Sequence, residues 1–163
     1  MESIKDKLKN NYIFVIIIFS MFAIDRFSKE YVIDFFLSYQ EQSYYLYPFF
    51  NLTLIWNTGI AFGLFESDSN TYHFISVLIV MIIGILIIWL FKSKIFIEKI
   101  ALSLVTGGAL GNLFDRIKFN AVPDFIDLHY RDFHWFVFNV SDIVITIGII
   151  LLLLSDFLKK NEK

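Results

Sequence analysis

The sequence predicts an all-α integral membrane protein with four transmembrane helices and a small β-element on the outer face. Hydrophobic residues make up 57% of the 163 residues, and the mean hydropathy is +0.64. A small water-soluble core cannot bury that much apolar surface. The apolar residues fall into four runs close to the ~20 residues that cross a bilayer. No low-complexity linker or internal repeat interrupts the chain, so we expect residues 1–163 to form a single membrane domain.

The first helix is expected at about 12–31, after three lysines near the amino end. This run lacks a small-residue cleavage site and continues into Asp25-Arg26, so it predicts an uncleaved span and not a signal peptide. The other three spans are expected at about 72–91, 96–115 and 138–157.

The connection after the first span, at about 40–65, has the composition of an outer β-element. Its segment Asn51-Leu52-Thr53-Leu54-Ile55-Trp56 is rich in the β-branched and aromatic residues that favour strands. Its many aromatic rings suit the headgroup layer of a bilayer. We therefore expect a small sheet that rests on the outer ends of the helices.

The distribution of basic residues predicts the orientation. Nine of the 14 Lys and Arg lie at the two termini and between spans two and three, whereas residues 32–71 contain neither. Basic residues flanking short loops are retained on the cytoplasmic side. We therefore expect a multi-pass protein of the cytoplasmic membrane with both termini in the cytoplasm. The nine residues are Lys5, Lys7, Lys9, Lys92, Lys94, Lys99, Lys159, Lys160 and Lys163.

Several functional classes are not supported by the composition. The absence of cysteine excludes disulfides, a thiolate nucleophile and a thiol metal site. A net charge of −2 gives no indication of a nucleic-acid partner. The metalloprotease, serine-hydrolase and phosphate-loop motifs do not occur. His129 and His134 are five residues apart, a spacing that fits neither one helical face nor a compact metal site, so we interpret them and His73 as interfacial and expect no metal.

Three acidic residues are expected at one depth in the membrane. At about 1.5 Å per residue, Asp25 lies about 24 Å beyond Lys9, and Asp142 lies about 26 Å before Lys159. The hydrocarbon layer is about 30 Å thick. Both carboxylates, together with Asp115 at the end of the third span, therefore fall just inside the outer boundary. Charged groups at this depth indicate a functional site.

The third span carries polar and small residues on its packed faces. Asn112 lies one turn after Gly108 and one turn before Arg116. A buried amide needs partners, so we interpret Asn112 and Arg116 as supporting a site. Gly107 and Gly111 form a small-xxx-small pair that allows a neighbouring helix to approach closely.

Asp142 lies where the fourth span begins. Asn139 or Ser141 can cap this helix, and Asp142 alone is equally compatible with a purely electrostatic role at the helix start.

The outer connection before it contains Asp124 and Asp127. If one of these acids faces Asp142, the pair shares a proton and can activate water, which is aspartyl peptidase chemistry. Spacing alone does not show whether Asp124 or Asp127 is the partner of Asp142. Acids in a surface loop are usually solvated, and this is the interpretation we give to Asp127 and Asp132 when each is considered alone.

Five short motifs are distributed along the chain: Asp25, residues 57–63 (NTGIAFG), residues 107–116 (GGALGNLFDR), residues 123–127 (PDFID) and residues 138–142 (FNVSD). They resemble the motifs of the bacterial lipoprotein signal peptidases, also called signal peptidase II, and the resemblance covers nearly the whole chain. It implies that Asp124 and Asp142 form the catalytic dyad. It also implies that several polar residues order the site and hold the substrate, with Asp25 and Gly108 in its surroundings. These site-ordering residues are Asn57, Asn112, Arg116 and Asn139.

The resemblance also implies a substrate and a setting. Family members remove the signal peptide of prolipoproteins by cutting before a cysteine that carries diacylglycerol. They need no cofactor, and a mobile outer segment helps to clamp the substrate. We therefore expect a monomer in a bacterial cytoplasmic membrane that contacts membrane lipid and diacylglyceryl-prolipoproteins, with its active site near the outer face.

The chain departs from the usual family pattern at three positions. Ile60 replaces a small Ala, Pro123 replaces Val, and Ser141 replaces Ala. The hydroxyl of Ser141 is expected to donate a hydrogen bond to the adjacent Asp142. These departures bear on fine substrate preference and pH optimum, and the expected reaction class stays the same.

Two other functions are compatible with parts of the pattern. A small proton-coupled transporter would use Asp25, Asp115 and Asp142 as a relay, but transporter sites tend to lie near the bilayer midplane and these acids cluster at one edge. A noncatalytic lipoprotein-binding factor would keep a groove but would not need two facing acids.

Overall fold

The computed structural model describes residues 4–59, 69–131 and 133–161. These residues form a mostly helical protein with a small antiparallel sheet. The elements, in chain order, are α1 (Ile4–Tyr39), β1 (Ser43–Tyr47), β2 (Phe50–Asn57), α2 (Ser69–Lys92), α3 (Phe96–Phe119), β3 (Val122–Tyr130), β4 (Phe133–Phe138) and α4 (Val140–Asn161).

Each of the four predicted apolar runs forms a helix. Within the described residues, three helical segments are long and apolar enough to cross a membrane: Asn11–Tyr39, Phe74–Lys92 and Val140–Lys160. The first runs past the expected end at residue 31, so that α1 reaches the layer of the sheet. The third helix, α3, is long enough, but its polar and charged residues lower its hydropathy.

α3 occupies the centre of the bundle and packs against α1, α2 and α4. Its glycines allow this close packing. A methyl group added at Gly107 would lie 2.8 Å from the carbonyl oxygen of Ile18 in α1. One added at Gly111 would lie 2.5 Å from both Asp25 Oδ2 and Ser141 Oγ, which belong to α1 and α4. The packing role predicted for these two glycines is confirmed.

The four strands form one sheet in the order β1-β2-β3-β4, with every neighbouring pair antiparallel. The pairing of β2 with β3 places Ile55 opposite Asp124 and Asn57 opposite Val122. Phe125 on β3 packs with Val32 and Phe36 of α1, which holds the sheet on the end of that helix.

Half of the sheet was not predicted from the sequence. The element expected at 40–65 contains β1 and β2, but the segment interpreted as an acidic loop forms β3 and leads into β4. Asp and Pro are depleted in strands, so local composition concealed β3. Pairing with β2 and burial of Val122 and Phe125 outweigh this propensity.

Candidate active site

Asp124 lies in the interior of the sheet–helix junction. Its side chain is on β3, and the residue is only 3% exposed. Two side-chain amides bind its carboxylate. Asn57 Nδ2 donates to Asp124 Oδ2 at 2.9 Å, and Asn139 Nδ2 donates to Asp124 Oδ1 at 2.6 Å. These bonds tie β3 to the end of β2 and to the start of α4.

Asp142 is fixed by a reciprocal cap at the start of α4. The side-chain oxygen of Asn139 accepts the backbone N–H of Asp142 at 3.1 Å, and Asp142 Oδ2 accepts the backbone N–H of Asn139 at the same distance. This is the geometry of a capping box. Asn112 Nδ2 donates to the other carboxylate oxygen, Asp142 Oδ1, at 3.0 Å. Of the two capping residues considered, Asn139 therefore makes the cap.

The two acids line the same cavity, which has a volume of about 440 Å³. Asn139 contacts both carboxylates, Asp124 through its side-chain amide and Asp142 through its backbone N–H, so this one residue sets their relative position. Polar residues form one part of the wall: Asn57, Asn112, Arg116, Asp124, Asn139 and Asp142. Apolar side chains of α2 and α4 form much of the remainder: Ile75, Leu78, Ile79, Ile82, Ile145 and Ile149. Of the two acids that spacing left open, the one that shares this cavity with Asp142 is Asp124.

Burial and the neighbouring acid change the acidity of Asp124. Loss of solvation is the largest cause and the negative charge of Asp142 adds to it, so the pKa of Asp124 rises to about 6 from a usual value of 3.8. The hydrogen bonds from Asn57 and Asn139 oppose this rise. A proton shared between the two acids is therefore retained at a higher pH than an isolated aspartic acid would allow.

Behind the cavity lies a buried ionic cluster formed by Asp25, Arg26, Lys29 and Asp115. Lys29 Nζ lies 2.9 Å from Asp25 Oδ2 and 2.7 Å from Asp115 Oδ2. Arg26 Nη2 donates to both acids, at 3.0 Å and 2.8 Å. Asp115 therefore pairs with Arg26 and Lys29 of α1.

Lys29 connects this cluster to the site. Its ammonium donates to Asn112 Oδ1 at 2.8 Å, which leaves Asn112 Nδ2 to face Asp142. Asp25 Oδ1 accepts the backbone N–H of Ser141 at 3.0 Å, next to Asp142. Sequence reasoning missed Lys29, although its spacing of four residues from Asp25 was visible. The cluster leaves Asp25 and Asp115 paired with cations, which does not favour a proton relay through them.

Arg116 fixes the segment that follows β2. Its Nη2 donates to the carbonyl oxygen of Gly59 at 2.8 Å, and Asn57 Oδ1 accepts the backbone N–H of Gly59 at 2.9 Å. These hydrogen bonds connect Asn57 and Gly59, of the motif at 57–63, with Arg116, of the motif at 107–116. The rest of the motif at 57–63, residues 60–63 with Ile60, lies outside the described residues.

Gly108 lies beside the cavity wall and not in it. A methyl group there would lie 2.8 Å from both the carbonyl oxygen of Ser141 and Ile145 Cγ1. Gly108 therefore lets α4 approach α3 closely just at the turn that carries Asp142.

The expected hydrogen bond from Ser141 to Asp142 is absent. The Ser141 hydroxyl is buried and makes no hydrogen bond within the described part of the chain. It is directed towards Gly111, and therefore away from the cavity. Pro123 is buried on β3 opposite Trp56.

Asp127 is not a solvated loop acid. It is 3% exposed on β3, accepts a hydrogen bond from Thr53 Oγ1 at 3.2 Å and lies 3.0 Å from His134 Nδ1. Pairing of β3 with β4 places His129 opposite His134, and their ligand atoms lie within 4.8 Å of each other and of Asp127. The prediction that a spacing of five residues does not fit a compact metal site is therefore wrong in its geometry, because strand pairing brings the two imidazoles together. Asp132 lies outside the described residues.

Comparison with known proteins determines the family. A family model described as Signal peptidase (SPase) II matches residues 17–158. The chain belongs to the signal peptidase II family. The Lipoprotein signal peptidase of Pelagibacter ubique is 47% identical over 160 residues, which cover 98% of this chain and 96% of that protein. That of Anaplasma phagocytophilum is 38% identical over 155 residues, which cover 95% and 98%.

Two solved structures share the fold of this chain. A bacterial membrane enzyme determined by the in meso method superposes with a TM-score of 0.72 and 26% identity, over 92% of this chain and 90% of that one. A second structure with the same description gives a TM-score of 0.65, also at 26% identity. Together with the apolar helices, membership of this family makes the chain a membrane-bound protease.

Proposed function

We propose that this member of the signal peptidase II family cleaves its substrate with a water molecule activated by Asp124 and Asp142. The reaction class follows from the family and from the consistent names of its relatives: the chain removes signal peptides from prolipoproteins. The observation that supports the dyad is the shared cavity, in which Asn139 binds both carboxylates.

The proposed mechanism uses the two carboxyl groups in complementary protonation states. Ionisation of one makes ionisation of the other costlier, so the pair holds a single proton. The ionised carboxylate takes a proton from water as the water oxygen attacks the scissile carbonyl carbon. The protonated carboxyl donates to the carbonyl oxygen, which gives a neutral tetrahedral diol. The C–N bond then breaks as the leaving nitrogen accepts a proton from one acid and the other takes a diol proton back.

The cavity walls fit a substrate that is partly peptide and partly lipid. The isoleucines of α2 and α4 provide an apolar side, where a signal helix and acyl chains can pack. Asn112 and Arg116 also line the cavity and carry N–H groups that can donate to a peptide backbone. On this basis we propose that the bond cut precedes a diacylglyceryl-modified cysteine, and that membrane lipid surrounds the bound substrate.

We further propose that α3 crosses the bilayer as a fourth span, inside a bundle whose other helices shield its polar residues. Its 24 residues extend about 36 Å, enough to cross. The lysines at the termini and between α2 and α3 support a cytoplasmic location for both termini in a bacterial cytoplasmic membrane. The sheet and the cavity then lie at the outer face.

Cleavage by purified protein tests the dyad. A diacylglyceryl-modified precursor is incubated with wild type, Asp124→Asn and Asp142→Asn, and release of the signal peptide is measured. Each substitution removes a carboxyl group that the mechanism needs, so we expect turnover to fall by at least about 10³-fold. Asp156→Asn is the matched control, because Asp156 is exposed near the opposite end of α4, and it should cleave like wild type. Near-normal turnover by either dyad variant would refute the mechanism.

A further inference from the structure

Three potential metal ligands converge on the outer hairpin, away from the cavity. Asp127 and His129 lie on β3, and His134 lies opposite His129 on β4. One donor atom from each side chain lies within 4.8 Å of the other two. The two imidazole rings are nearly parallel, with centroids 5.0 Å apart and an interplanar angle of 17°.

Hydrogen bonding within the described residues does not account for all three side chains. His134 Nδ1 lies 3.0 Å from Asp127 Oδ1, so these two side chains are hydrogen-bonded partners across the strands. Nδ1 of His129 is buried and has no hydrogen-bond partner in the part of the chain that the structure describes. A buried unpaired nitrogen is unfavourable, so a group that satisfies it would stabilise the hairpin.

We propose that Asp127, His129 and His134 bind a divalent cation of the Zn²⁺ class. Two imidazoles and one carboxylate are a common ligand set for this class, whereas Mg²⁺ and Ca²⁺ prefer oxygen ligands alone. Metal–ligand bonds of about 2.0–2.1 Å bring donor atoms to within about 3.5 Å of one another, so the three donor atoms must move closer together. An imidazole binds a metal in its ring plane, so at least one of the two stacked rings must also turn about its side-chain bonds. His134 is half exposed, which gives the ion access from solvent.

The position of the site assigns it a structural role. Asp127 follows Asp124 by three residues on β3, and β4 leads directly to Asn139 at the start of α4. Asp127 is also bonded to Thr53 of β2. A cation here would join two strands and fix their register outside the cavity, without contacting the dyad. Asp127 thus acts as a metal ligand and its neighbour Asp124 as a peptidase acid.

Metal binding to full-length protein without an affinity tag tests the site. Zn²⁺ is titrated by calorimetry, and Co²⁺ is titrated by visible absorbance, which reports on nitrogen ligation. We expect one ion per chain, affinity reduced more than about tenfold in His129→Ala and His134→Ala, and no competition from Mg²⁺. His73→Ala, which changes the remaining histidine on α2, should bind like wild type.

Thermal unfolding provides the second measurement. Zn²⁺ should raise the Tm of wild type and of His73→Ala, but not the Tm of His134→Ala. Because His134 is half exposed, this variant should fold even if His129→Ala does not. Absence of saturable Zn²⁺ binding, or equal binding by all three histidine variants, would overturn the proposal. The assay needs no substrate, so either result leaves the peptidase proposal unaffected.

Discussion

Asp124 holds its proton for two separable reasons, burial and the charge of Asp142. The substitution Asp142→Asn removes the negative charge of Asp142 and leaves Asp124 buried. We therefore expect the pKa of Asp124 to fall below about 6 but to stay above its usual value of 3.8. Infrared spectra of protein with carboxyl-labelled aspartate can follow this titration, with Asp124→Asn used to assign the band. An unchanged pKa would mean that the two acids do not interact.

The raised pKa of Asp124 also predicts how stability depends on pH. The folded state binds this proton more tightly than the unfolded chain does, so the contribution is fully present below about pH 4 and is lost as pH rises through about 6. The Tm of wild type should therefore fall over this interval more steeply than the Tm of Asp124→Asn. Parallel curves for the two proteins would contradict a folded-state pKa near 6.

At the scale of single residues, sequence reasoning alone indicated Asn112, as a buried amide that needs a partner, and Asn139, as one of two possible helix caps. Asn57 was expected in the site only through the family resemblance. Lys29 did not stand out, because a lysine near a predicted helix end is ordinarily exposed. Its burial depends on two carboxylates that come from different helices.

Among the elements, the close packing of α3 against α1 and α4 makes a definite prediction. In Gly111→Ala the added methyl would meet Asp25 Oδ2 and Ser141 Oγ at 2.5 Å, so the ionic cluster or a helix must move. We expect a loss of about 1–3 kcal/mol of stability. Gly84→Ala is the matched control, because nothing lies within 4 Å of the corresponding position on α2. Its higher helix propensity should leave stability equal or slightly greater.

Thermal unfolding in one detergent compares the two glycine variants. A lower Tm for Gly111→Ala with an unchanged or higher Tm for Gly84→Ala is the expected result. Equal Tm values would show that α1 and α4 adjust around the methyl group without cost.

The helices could be predicted from the sequence because their apolar runs are long and continuous. Strands β3 and β4 could not be predicted in this way. The stabilising contacts of β3 come from β2 and from α1, which are distant in the sequence. Its own residues include Pro123, Asp124 and Asp127, which have low strand propensity. The same cause concealed the pairing of His129 with His134, since only the register of the hairpin brings them together.

For the whole molecule, the absence of cysteine makes the proposed topology easy to test. Glu41→Cys places a thiol at an exposed position next to β1, and Lys94→Cys places one at an exposed position between α2 and α3. In intact cells a membrane-impermeant maleimide should label the first variant. It should label the second only after the membrane is permeabilised, because the basic loop lies in the cytoplasm. The opposite pattern would invert the proposed orientation.

The position of Asn139 between β4 and α4 affects how the protein responds to mechanical force. This one residue, which follows β4 directly, donates to Asp124 through its side chain and to the Asp142 carboxylate through its backbone N–H, so a force applied through β4 acts on both acids at once. Pulling the hairpin outward in a single-molecule experiment should therefore inactivate the enzyme before any helix leaves the bilayer.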